Sequence, residues 1–162
     1  MILNRINLIK VIIVIGIAAL VLGCFSGGTH GSIKSYSFLV SKERLQTAVN
    51  GVIRKESDLR IAPIKDTFVG KYYNDGEYYI TLDIGDSSEF NEYIFQFVGD
   101  KKYWDTAHAS QISVAYAYDK NGNGGSIGNG QFSSCSAEVQ QAIIKLFERR
   151  FIDKVDSALN YK

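Results

Sequence analysis

Histidine, cysteine and proline are nearly missing from this chain of 162 residues, which holds two, two and one of them respectively. One of the two histidines, His30, sits in a Gly/Ser-rich stretch, so only His108 remains for chemistry in a folded domain. A zinc centre needs three or four protein ligands, mostly His and Cys, and too few are present. A Cys–His catalytic dyad would have to join His108 to Cys135, and "SSCSAEV" around that cysteine carries no nucleophile motif. An excess of either charge is missing too. The 18 basic residues face 17 acidic ones, with no long basic run, so the electrostatic footprint of a nucleic-acid binder is absent. Extended polar tracts are also lacking. With 46% hydrophobic and 22% charged residues, the chain is apolar enough to bury a core and is not of the disordered class.

What is present begins at the N-terminus. "VIIVIGIAALVLG", Val11 to Gly23, is an apolar run of thirteen residues preceded by Arg5 and Lys10 and by no acid. As a helix it would rise only about 20 Å, short of the roughly 30 Å hydrocarbon core of a bilayer, so the layout is that of a cleavable signal segment rather than of a span. Its end, "VLGC" (Val21–Cys24), resembles the lipobox of bacterial membrane lipoproteins. That resemblance implies cleavage after Gly23 and acylation of Cys24, which becomes the new N-terminus. Residues 25–32, "FSGGTHGS", then read as a flexible leash. Phe25 stands where the resemblance would put an aspartate for inner-membrane retention, which implies the periplasmic face of an outer membrane. The expected organisation is a signal peptide (1–23), an acylated cysteine with a linker (24–32) and one domain (33–162). Once Cys24 carries lipid, Cys135 has no partner, and stability must come from packing rather than a disulfide.

The domain reads as α+β. Strands are expected at 33–40, 92–98 and 111–118. A hairpin is expected over 68–84, turning at Asn74-Asp75-Gly76, and a further strand near 127–133. Residues 57–66, with Pro63, look extended but irregular. Two helices are expected. Residues 41–56 open on Ser41 as N-cap and place Leu45, Ala48, Val49, Val52 and Ile53 on one face. Residues 136–162 carry Val139, Ile143, Phe147, Phe151, Val155 and Leu159 as an unbroken i+4 ladder. Short connections make the sheet antiparallel, a meander of five to six strands with both helices packed on it. In element order the domain resembles the helix-grip family of ligand-binding domains. That resemblance implies a curved sheet around the long C-terminal helix and an enclosed cavity lined by aromatic residues.

Three patterns bear on function. "DKNGNGGSIGNG" places Asp119, Asn121 and Asn123 at alternate positions before Gly124, as calcium loops do, but Gly130 stands where a bidentate glutamate is needed. A hairpin loop accounts for the same residues without a metal. Asp83, Asp86, Glu89 and Glu92 gather around one turn, where carboxylates are usually solvated. Tyr103 and Trp104 are candidates for an exposed stacking surface, with an indole capping the core as the competing reading. No cofactor is expected. The function expected is that of a non-enzymatic, membrane-tethered domain that binds another envelope protein or component; the alternative is a lipid or small-molecule carrier with a pocket between sheet and C-terminal helix. A fatty-acid analogue fed to cells should label the wild-type protein and leave a Cys24→Ala variant unlabelled; equal labelling of the two would contradict the anchor.

Overall fold

The computed structural model describes residues 31–62, 79–86 and 89–160. Gly23, Cys24 and the Asn74-Asp75-Gly76 turn lie outside the described residues. Six strands, β1 (Lys34–Phe38), β2 (Leu59–Ile61), β3 (Tyr79–Gly85), β4 (Phe90–Phe97), β5 (Ser110–Tyr118) and β6 (Gly124–Gly125), form one antiparallel sheet. Its order is β1-β5-β4-β3-β2, with β6 pairing the far end of β5 beyond β1. The first strand therefore pairs with a strand some 75 residues later in the chain, Lys34 with Val114 and Phe38 with Ser110, and not with its sequence neighbour.

Helix α1 (Lys42–Lys55) begins where expected because the Ser41 hydroxyl accepts the Arg44 amide. It buries Leu45, Val49, Val52 and Ile53 and carries Arg54 and Lys55 in its last turn, where cations suit the helix dipole. Short helices α2 (Lys101–Trp104) and α3 (Gln131–Ser134) fill connections. Then come α4 (Ala137–Phe147), a wider π-helical turn (Glu148–Ile152) and α5 (Asp153–Asn160), which together form one long C-terminal helix.

The π turn follows from the i+4 ladder. In a regular α-helix each four-residue step rotates the side chain by about 40°, so six rungs would spiral through about 200° and could not all face one sheet. The wider turn, in which the Asp153 N–H bonds back to the Glu148 carbonyl five residues earlier, takes up that drift. Ile143, Phe147, Phe151, Val155 and Leu159 consequently all stay buried.

Those rungs meet the inward side chains of the sheet. Phe147 stacks tilted on Tyr93 at 4.8 Å and meets Phe95 edge-on at 6.0 Å, and Phe151 lies 5.3 Å from Phe95 and 5.2 Å from Phe147. The space between the middle of the sheet and this part of the helix is thus filled by rings. The Tyr93 hydroxyl, buried in this cluster, donates to the Ile143 carbonyl at 2.8 Å, which satisfies the one polar group the cluster brings with it.

Polar contacts tie the first and last helices together. The Arg44 guanidinium donates to the Leu159 carbonyl at 2.9 Å, at the end of α5. Lys154 pairs with Glu56, and Arg150 pairs with Asp58 at 2.6 Å.

Two expectations are corrected here. The strand expected near 127–133 is absent: Gly124–Gly125 alone pair with Ala117 and Tyr118, and the chain then turns and enters α3. Both glycines have φ of 137°, and a Cβ on Gly124 would stand 2.0 Å from the Ala117 carbonyl oxygen, so this return strand stops after two residues. Conversely, the irregular segment 57–66 supplies β2, in which Leu59 pairs with Ile84 and Ile61 with Leu82. Phe147→Ala should destabilise the domain by about 3–5 kcal/mol in urea unfolding, as for other fully buried phenylalanines; a loss below 1 kcal/mol would show that the aromatic cluster does not hold the layers together.

Candidate functional site

An open groove of about 900 Å³ runs beside the π turn. Its apolar lining comes from the long helix, chiefly Val139, Ala142, Leu146 and Ile152. Its polar rim combines Lys145, Glu148, Arg149 and Asp153 from the helix with Tyr36 of β1, Asn91 of β4 and Asp119 at the end of β5. Four of these residues, Glu148, Arg149, Ile152 and Asp153, belong to the π turn or its immediate flank. The groove thus lies between this stretch of the long helix and the side of the sheet that carries Tyr36, Asn91 and Asp119.

The rim is internally wired on one side. Glu148 receives the Tyr36 hydroxyl at 3.2 Å and the Lys34 ammonium. Burial, and then the adjacent Glu148 carboxylate, push the Tyr36 hydroxyl well above the ordinary tyrosine range, so it stays a neutral donor. Burial likewise raises Tyr93. Asn91 donates through Nδ2 towards the Tyr93 hydroxyl at 3.4 Å and accepts the Lys120 amide through Oδ1 at 3.2 Å, which links the groove to the loop that follows β5. The other side is unwired: Lys145, Arg149 and Asp153 form no ion pair among the described residues.

The calcium-like loop folds as a hairpin turn closed by its own amides. Asp119 accepts the Asn121 amide at 2.9 Å and the Asn123 amide at 2.8 Å on one carboxylate oxygen, and the Asn123 side-chain amide at 2.9 Å on the other. Both oxygens that a cation would need are therefore engaged by donors of the loop itself. Gly122, with φ of 80°, makes the positive-φ turn that the Asn-Gly pair suggests.

Of the two readings of Trp104, the structure shows the one in which the indole caps the core. The indole is 7% exposed, its Nε1 donates to the Val98 carbonyl at 2.9 Å, and the Lys42 ammonium lies 4.3 Å from its ring and 5.5 Å from that of Phe97. It caps the core at the opposite end of β5 from the groove. Tyr103 beside it is partly exposed. Cys135 precedes the Ser136 N-cap of α4, and its thiol lies 3.6 Å from the Gln131 carbonyl; no hydrogen bond joins it to His108 among the described residues. Of the acidic turn, Asp83 is buried and bound by Arg60 at 2.7 Å, and Glu89 holds Lys120 at 2.6 Å. Asp83 and Glu92 face each other across β3 and β4. No group of three or more His, Cys, Asp and Glu placed to hold a metal occurs among the described residues.

The sequence expectation of a pocket between the sheet and the C-terminal helix names this region of the fold, but not the residues that line the groove. The π turn beside it has a legible trace in the strict four-residue spacing of the ladder, which exceeds the 3.6-residue period of an α-helix and demands a wide turn.

No protein family, curated protein or solved structure matches this chain. Its function is therefore argued from its own residues.

Burial would raise the Asp119 carboxyl, but the bonds from Asn123 and Asn121 outweigh it and hold the group below its usual 3.8. A depressed acid stabilises the fold above its unfolded value, and that contribution disappears as pH falls through the folded value. The Asn121 and Asn123 amide resonances should accordingly titrate with a midpoint under 3.8. A midpoint at or above it would mean that the loop bonds are not made in solution.

Proposed function

We propose that the chain is a cell-envelope lipoprotein, fixed to a membrane through Cys24, whose α+β domain is a non-enzymatic binding module that receives a polypeptide segment of another envelope protein in the groove beside the π turn. The observation that carries this reading is the groove's shape and lining. It is open along its length, apolar at its base and charged at its rim, which suits a chain segment that lies across it. A carrier would instead need to surround its cargo, since small-molecule sites typically bury most of the ligand's surface. The aromatic cluster of Tyr93, Phe95, Phe147 and Phe151 occupies the space where such a cargo would sit. The tether rests on "VLGC" and the apolar run before it, together with the Gly/Ser leash that joins Cys24 to the domain. The preferred address remains the periplasmic face of an outer membrane.

Chemical crosslinking of the lipidated protein in its native envelope, followed by purification and mass spectrometry, tests the reading. A stoichiometric polypeptide partner is the expected result. Recovery of the protein with bound lipid or a small metabolite, and without a polypeptide, would favour the carrier reading and sink this one.

A further inference from the structure

We infer that the segment the groove receives is an α-helix with one apolar face, whose flanking charges run in the order acid, acid, base from the Val139 end of the groove to the Asp153 end. The inference rests on the binding reading above and adds the partner's conformation and its charge order.

The conformation follows from the groove's floor. Val139, Ala142 and Leu146 succeed one another at steps of three and four residues on α4, so they form one stripe along the helix surface. Ala142 is exposed between two larger, partly buried side chains. That leaves a notch which a partner's side chain can enter, as a knob enters the hole between neighbouring residues of a facing helix. The floor offers no backbone partner. Between Val139 and Asp153 the chain is continuously helical, and its N–H and C=O groups are spent on that helix's own bonds. An extended segment laid on such a floor turns part of its own backbone towards apolar side chains, with nothing there to bond it. A helix brings its backbone already paired, which is why amphipathic helices are the usual occupants of grooves of this kind. The length fits as well, since the stretch from Val139 to Asp153 rises about 20 Å, or close to four turns.

The charge order follows from the rim. Lys34, Lys145 and Arg149 balance Asp119, Glu148 and Asp153, so net charge does not choose the partner. Position does. Glu148 already holds Lys34, and Asp119 is engaged by its own loop. Lys145, Arg149 and Asp153, at four-residue steps and all exposed, form no ion pair among the described residues. The free charges therefore read plus, plus, minus along the groove. A partner helix whose flank reads minus, minus, plus meets each of them, whereas the reverse order sets like charges side by side.

The test uses the full-length protein in its own cells, with a photo-crosslinking residue placed in turn at Val139, Ala142 and Leu146. Irradiation should join all three sites to one segment of one polypeptide, and mass spectrometry reads the partner residue struck from each. Val139 and Leu146 lie about 10 Å apart along the helix, so a helical partner should advance by about seven residues between their adducts and an extended one by about three. The adduct from Ala142 should fall at least tenfold when K145E/R149E/D153K inverts the row, and return when the partner's facing acids and base are exchanged in sign. The inversion alters exposed residues only, so it stays decisive even where a crosslinker at Val139 or Leu146 lowers the melting temperature. An advance of about three residues, or an adduct indifferent to the inversion, overturns the inference and leaves the binding reading standing. No polypeptide adduct from any site, or adducts with lipid or a small molecule only, removes that reading and the inference with it.

Discussion

Burial of Phe147 and Phe151 against Tyr93 and Phe95 is the contact on which the rest of the domain depends. With a single cysteine in the domain, and polar contacts between the helices that are largely at the surface, no covalent link and few buried ion pairs are there to share the task. Four rings linked by centroid distances of 4.8 to 6.0 Å combine a large apolar area with favourable ring geometry. Because the contact runs along the whole helix, the ladder must keep a four-residue period. A four-residue period cannot be kept by a uniform α-helix, so the π turn follows from the demand for burial.

The same constraint orders the edges of the molecule. The long helix crosses the sheet, and its far end reaches α1, where Arg44 caps the Leu159 carbonyl and Lys154 meets Glu56. Its middle reaches β1, where Lys34 and Tyr36 converge on Glu148. β1 is held between that contact and its pairing with β5. The first strand is therefore fixed by residues that are distant in sequence. Lys42, buried over Trp104 and Phe97, closes the opposite end of the layer with a cation rather than a hydrophobe.

Much of this fold was legible in the sequence. Ser41 caps the first main helix, as its hydroxyl suggests, and the alternating residues of 92–98 and 111–118 became β4 and β5. These features are local, and local chemistry decides them. β2 escaped because three residues carry too little periodicity to register, and only pairing with β3 makes them a strand. The strand expected at 127–133 failed because its glycines stop the ladder after two residues and Gln131–Ser134 close into a helical turn. Trp104 could have faced either way, and its burial was settled by a carbonyl on β4's exit and a lysine sixty residues earlier, neither of which its neighbours reveal. The groove's lining escaped for a related reason, although a pocket between the sheet and the C-terminal helix was one expectation: its residues come from segments that meet only in the folded chain.

Removing one residue from the π turn tests most directly the claim that ladder burial imposes the wide turn. Deleting Arg149 brings Phe147 and Phe151 to a three-residue spacing, and six rungs of a regular α-helix then stay within about 100° of one another. Urea unfolding of the deletion variant, with its helicity followed by circular dichroism, should show a folded domain within about 1 kcal/mol of the parent, since each buried contact is kept. Loss of several kcal/mol, or failure to fold, would mean that the turn has another origin and that the ladder does not dictate the shape of this protein.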